Sequence, residues 1–206
     1  MYHLKPRISV IGNSKKFIEV LQRKFPQPLN VLSWREIDFV KRESADIIYV
    51  VGYDYASYQM DYSTYHNSNI KSPLNLIKSL SNEKTVIYYV DTEHSSKNYT
   101  YSRYRYAKYQ LGLALFNQFG DRLRVLTIPT IVDDEGTPQV RGNLFEKIVF
   151  KFAIKAGVVG VIKLREVQRC IIEDEFKQLQ YTELSGKLLK IRRISLVDRF
   201  MRVICG

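Results

Sequence analysis

The segment YSRYRYAKYQ, residues 101–110, places Tyr104 four residues before Lys108. A phenol titrates near pH 10 and is a poor base at neutral pH, whereas a nearby ammonium favours its ionised form. On a helix a spacing of four puts both side chains on one face, so such a pair could pass a proton to or from a substrate. The spacing alone says little, because 15 tyrosines and 17 lysines in 206 residues give about one such pair by chance. Four tyrosines fall within residues 101–109, and a helix whose tyrosines pack at an interface reads the same way. The position in the chain adds weight. The segment TVIYYVD (85–91) reads as a buried strand, and its polar end brings Thr92 and Ser95 hydroxyls to the carboxyl edge, where α/β folds bind ligands.

The surrounding elements form a regular alternation. RISVIG (7–12), PLNVLSW (28–34), ADIIYVVG (45–52), TVIYYVD (85–91) and RLRVLTIPTIV (122–132) read as strands, mostly continuous apolar runs suited to a sheet covered on both faces. Helices are expected over 13–25, 35–44, 66–84 and 99–120, with a tyrosine-rich loop before the third and Gly120 ending the fourth. The alternation predicts an α/β fold with a doubly wound parallel sheet (Rossmann-like) over residues 1–139. Residues 140–206 are expected to form a small C-terminal subdomain packed on it, or to merge with it into a single domain.

The first strand–turn–helix reads GNSKKFIEV. Gly12 suits the tight turn at which such folds hold a dinucleotide pyrophosphate, with Asn13 and Ser14 beside it and Lys15 or Lys16 to neutralise phosphate. The later glycines of the fingerprint are missing, so a purely structural turn fits as well. The second strand ends in LSWRE, which puts Arg35 where a 2′-phosphate would lie and favours NADP over NAD. Whether the crevice beside Gly12 is open or filled by Lys15 and its neighbours decides between these readings.

Taken together, Thr92, Tyr104 and Lys108 resemble the short-chain dehydrogenase/reductase superfamily, in particular its extended branch of nucleotide-sugar epimerases and dehydratases. The resemblance implies that Thr92 orients the substrate, Tyr104 is the acid/base and Lys108 tunes it. DTEH (91–94) is similar to the strand end of sugar-nucleotide dehydratases, which implies Glu93 as a further acid. GVIKLREVQRCII (160–172) resembles the family's strand-plus-helix segment, and KLLKIRRISLVDRFMRVI (187–204) its late strand and helix. The implied function is an NADP- or NAD-dependent enzyme on a nucleotide-linked sugar, in surface polysaccharide synthesis, with a homodimer through the Tyr104 helix. The gap between Thr92 and Tyr104 is short for the family, and a helix–strand–helix unit is missing after the second strand. These losses also fit a catalytically inactive binding or regulatory relative.

Net charge is +11, favouring anionic partners (nucleotide-sugars or other small molecules, nucleic acid, acidic glycans or lipid headgroups) without choosing among them, and no motif marks a nucleic-acid binder. Cys170 and Cys205 lie far apart and the three histidines are scattered, so no metal site is expected and the reduced cytoplasm is the default. Residues 187–206 carry six basic residues and one acid around an apolar stripe, which suits core packing or peripheral contact with an anionic membrane.

Overall fold

Five short, largely apolar runs become strands of a sheet whose side chains pack against helices on both faces. The computed structural model describes residues 5–34, 43–92, 103–138, 144–157 and 160–178. Its strands are β1 Ile8–Ile11, β2 Asn30–Leu32, β3 Ile47–Val50, β4 Val86–Thr92 and β5 Leu123–Ile128. All pair in parallel, in the order β2-β1-β3-β4-β5. The chain steps from β1 outward to β2, then returns past β1 to β3, so its direction of travel reverses between β1 and β3.

Helices cover both faces, as the α/β reading requires. They are α1 Lys15–Lys24, α2 Tyr62–His66, α3 Ser72–Leu80, α4 Arg103–Phe119, α5 Leu144–Lys155 and α6 Leu164–Ile172. One face of the sheet presents Ile11, Ile48, Val50, Ile87 and Leu123 to Ile77 and Leu80 of α3 and to Leu111 and Leu115 of α4. The alternate residues Ile8, Val10, Tyr49, Val90 and Leu126 meet Phe17, Val20 and Leu21 of α1 and Val167, Cys170 and Ile171 of α6. The period of two along each strand sorts the two cores, and each fully buried aliphatic side chain contributes about 1.5–3 kcal/mol. The Lys24 ammonium of α1 donates to the Ile171 carbonyl at the end of α6, 2.7 Å away, joining the two helices of that face.

Three expectations change. The strand expected over 122–132 divides at Pro129, which has no N–H to continue a ladder. Beyond it, β6 Thr130–Val132 pairs in parallel with β7 Val161–Lys163 in a separate two-stranded sheet. The third helix begins earlier, at Tyr62, because the Asp61 carboxylate accepts from the Thr64 backbone N–H and hydroxyl at 3.0 and 2.6 Å. It then passes through a π turn at Asn67–Lys71 before continuing as α3. The tyrosine-rich stretch is no open loop: Tyr55–Gln59 forms a 3-10 turn capped by Asp54, and Tyr58 and Tyr65 are buried. The helices read over 35–44 and 187–204 fall largely or wholly outside the described residues.

Candidate functional site at the carboxyl rim of the sheet

Gly12 ends β1 with φ +121°, a left-handed conformation that favours glycine. Its N–H donates to the Leu32 carbonyl at 2.9 Å, tying the turn to β2. A Cβ at Gly12 would stand 2.9 Å from both the Cα and N of Gly52, so the turn after β1 and the chain leaving β3 touch backbone to backbone. Gly52 has its own reason to lack a side chain. A Cβ there would lie 2.4 Å from Cε3 of Trp34, because the indole lies directly on it. Trp34 is buried and its Nε1–H donates to the Ser68 carbonyl of the π turn at 3.0 Å. The crevice beside Gly12 is therefore filled by Trp34. Lys15 points elsewhere, exposed with Asn13 on the surface, and Ser14 starts α1 without a side-chain cap bond.

Asp91 and Thr92 close β4, both buried, and the Thr92 N–H donates to Asp91 Oδ1 at 2.7 Å. On the facing helix, Lys108 is buried with its Nζ 2.9 Å from the Val90 carbonyl and 5.0 Å from the centre of the Tyr89 ring. The Tyr89 hydroxyl donates back to the Lys108 carbonyl at 2.8 Å, so β4 and α4 are joined by reciprocal bonds. Burial lowers the Lys108 pKa to about 8, opposed by the Asp91 carboxylate. Tyr104 meets a different environment. Its ring packs edge-on against Tyr53 at 4.8 Å and parallel to Tyr55 at 6.1 Å. Burial first, then Tyr55 and the Asp91 carboxylate, push its phenol well above the ordinary value. Each of these influences favours the neutral phenol. Glu93 and Arg35 lie outside the described residues.

The first turn of α4 explains much of the tyrosine content. Arg103 and Arg105 are both buried. Arg103 donates to the carbonyls of Tyr58 and Met60 at 2.9 and 2.7 Å and stacks over the Tyr65 ring at 5.0 Å, while the Tyr65 hydroxyl donates to the Arg103 carbonyl. The Tyr62 and Tyr106 hydroxyls lie 3.0 Å apart. Asn69 completes the lattice, accepting from the Asp54 N–H at 2.8 Å and donating to Ser57 Oγ at 2.7 Å. These rings are spent on holding the chain between β3 and α3 against α4. Asn69 and Trp34 carry no motif in the sequence; the only signal for Trp34 is a lone tryptophan at the end of the strand read over 28–34.

A dinucleotide laid across such a rim needs space beside the turn after β1, with its nucleoside end toward the end of β2. Among the described residues that side is occupied by Trp34 on Gly52, and these two do not fit the nucleoside half of the cofactor. No family model matches the chain, and no curated protein does. Among solved structures, it is similar to L-threonine dehydrogenase from Phytophthora infestans, at 13% identity and TM-score 0.48 over 80% of this chain and 70% of that one. It is also similar to a protein described as a short-chain dehydrogenase/reductase from Burkholderia multivorans with bound NADP, at 14% identity and TM-score 0.42 over 79% and 97%. The α/β fold itself rests on the chain's own strand order and pairing.

Proposed function

We propose that this chain is a Rossmann-like protein, related to the NAD(P)-dependent oxidoreductases, that acts as a non-catalytic binding or regulatory protein. One observation carries the reading: Lys108 directs its ammonium to the Val90 carbonyl and Tyr89 ring, while everything acting on Tyr104 holds the phenol protonated. An acid/base pair would need the reverse, with the ammonium favouring a phenolate. The test is turnover of NADPH and NADH by wild type and Tyr104→Phe, with carbonyl compounds and nucleotide-linked sugars as substrates. The expected result is no turnover by either protein.

A second reading is an NADP- or NAD-dependent epimerase, dehydratase or reductase acting on a nucleotide-linked sugar in surface polysaccharide synthesis. It is favoured by the gathering of Asp91 and Thr92 from β4 and Tyr104 and Lys108 from α4 on facing elements at one end of the sheet. In it Thr92, Glu93, Tyr104 and Lys108 would serve the substrate, and Gly12, Asn13, Ser14, Lys15 and Arg35 the cofactor. Turnover by wild type that disappears in Tyr104→Phe would establish this reading and end the first.

A further inference from the structure

We infer that the crossover of the sheet holds a slot shaped for a flat heteroaromatic ring, that Trp34 is its built-in occupant, and that clearing Trp34 makes the slot a binding site for a purine. The inference rests on the non-catalytic reading of the same rim and deepens it, because it says what the chain placed where a nucleoside would lie.

Position is the first argument. In open α/β sheets the ligand crevice lies outside the carboxyl ends of the strands, where the order reverses. Here that point is between β1 and β3, and the residues closing it are Gly12 and Gly52. The second argument is shape. The Gly52 backbone is the floor under the indole, so close that a single methyl would overlap Cε3 and Cζ3, at 2.4 and 2.9 Å. Gly12 stands on that same side of Gly52, its Cα 3.1 Å from the place of such a methyl, so backbone borders the ring there. The third is polarity. The Ser68 carbonyl receives one N–H at the edge of the ring, at 3.0 Å. Adenine presents the same two features, a flat ring and an N–H donor at its edge through the exocyclic amine. A pyrimidine of the uracil type is smaller and leaves more of the floor bare. Trp34 is also the single tryptophan of the chain, so its emission reports on the slot alone.

The experiment uses the full chain and its Trp34→Gly variant, with adenosine, AMP, uridine and free indole as probes in calorimetry and thermal unfolding. Wild type is expected to bind none of the nucleosides and to keep its emission unchanged. Trp34→Gly is expected to melt earlier, to regain part of the loss with indole or adenosine, and to bind adenosine roughly tenfold or more tighter than uridine. Trp34→Leu clears the flat slot while keeping an apolar side chain at the end of β2, and gives the same comparison where the glycine variant does not fold. Equal or absent binding of adenosine and uridine by a folded variant would overturn the inference. So would a saturable change in wild-type emission on adding AMP, which would mean that the slot is not held by Trp34. None of these probes carries a nicotinamide, so turnover in the redox assay would sink the non-catalytic reading without producing either result.

Discussion

Tyr104 and Lys108 were legible as a pair, but the forces acting on each were not. Spacing places two side chains on one face of a helix; it does not say that Asp91 will stand beside the phenol or that Val90 will offer its carbonyl to the ammonium. Those partners come from a strand 13–18 residues upstream and exist only after β4 and α4 dock. Lys108 makes a pH dependence. Its folded pKa is about 8, below the ordinary 10.5, so between these values the unfolded chain binds the extra proton. Stability from this residue is thus present above about pH 10.5 and is lost as pH falls through 8, a difference on the order of 3 kcal/mol. Urea unfolding of wild type near pH 7 and near pH 9 is expected to show a rise with pH that Lys108→Met removes. A slope unchanged by the substitution would mean that the ammonium is not desolvated. Above about pH 10 the trend reverses, because Tyr53, Tyr65 and Tyr104 are held neutral in the fold and ionise in the unfolded chain. For Tyr104 itself, a spectrophotometric tyrosinate titration is expected to show no group ionising below the ordinary tyrosine range in wild type. An early-titrating tyrosine that vanishes in Tyr104→Phe would contradict the environment described.

At the scale of elements, the strand–helix alternation was readable because the periodicities are local, and β1, β3, β4, α1 and α4 fall close to where the pattern puts them. Pro129 and Asp61 could have been read too, as a strand breaker and a helix cap. What the pattern lacks is any signal for contacts between segments: Gly12 against Gly52, Trp34 on Gly52, and Arg103 on the carbonyls of Tyr58 and Met60. Tyrosines in a polar stretch read as a loop; burial of Arg103 among them turned that stretch inward. Gly12→Ala is expected to cost about 1–3 kcal/mol in chemical denaturation, since it combines a left-handed φ with a contact that only backbone can accept. Arg103→Met removes two donors and leaves buried carbonyls behind, at about 1–3 kcal/mol. Its loss is expected to speed hydrogen exchange in Tyr55–Gln59 more than in β4, and uniform protection would show that Arg103 does not staple that turn.

At the scale of the whole molecule, the five-stranded sheet has two unlike edges. Lys177 bridges to Val125 of β5 through both backbone bonds, at 2.7 and 2.9 Å, so that edge is partly covered. Among the described residues β2 has no partner beyond β1, and Val31 is 38% exposed there. Bare strands of this kind invite pairing with another chain. Val31→Lys is expected to lower concentration-dependent association in sedimentation while moving stability by no more than about 0.5 kcal/mol. The two cores have a further consequence. Because α6 supplies Val167, Cys170 and Ile171 to the sheet face that α1 covers only in part, a chain cut short after Lys155 would be left bald on one side. Helix α6 is hull planking, not rigging, and a vessel missing it should clump before it ever shows a cooperative melt.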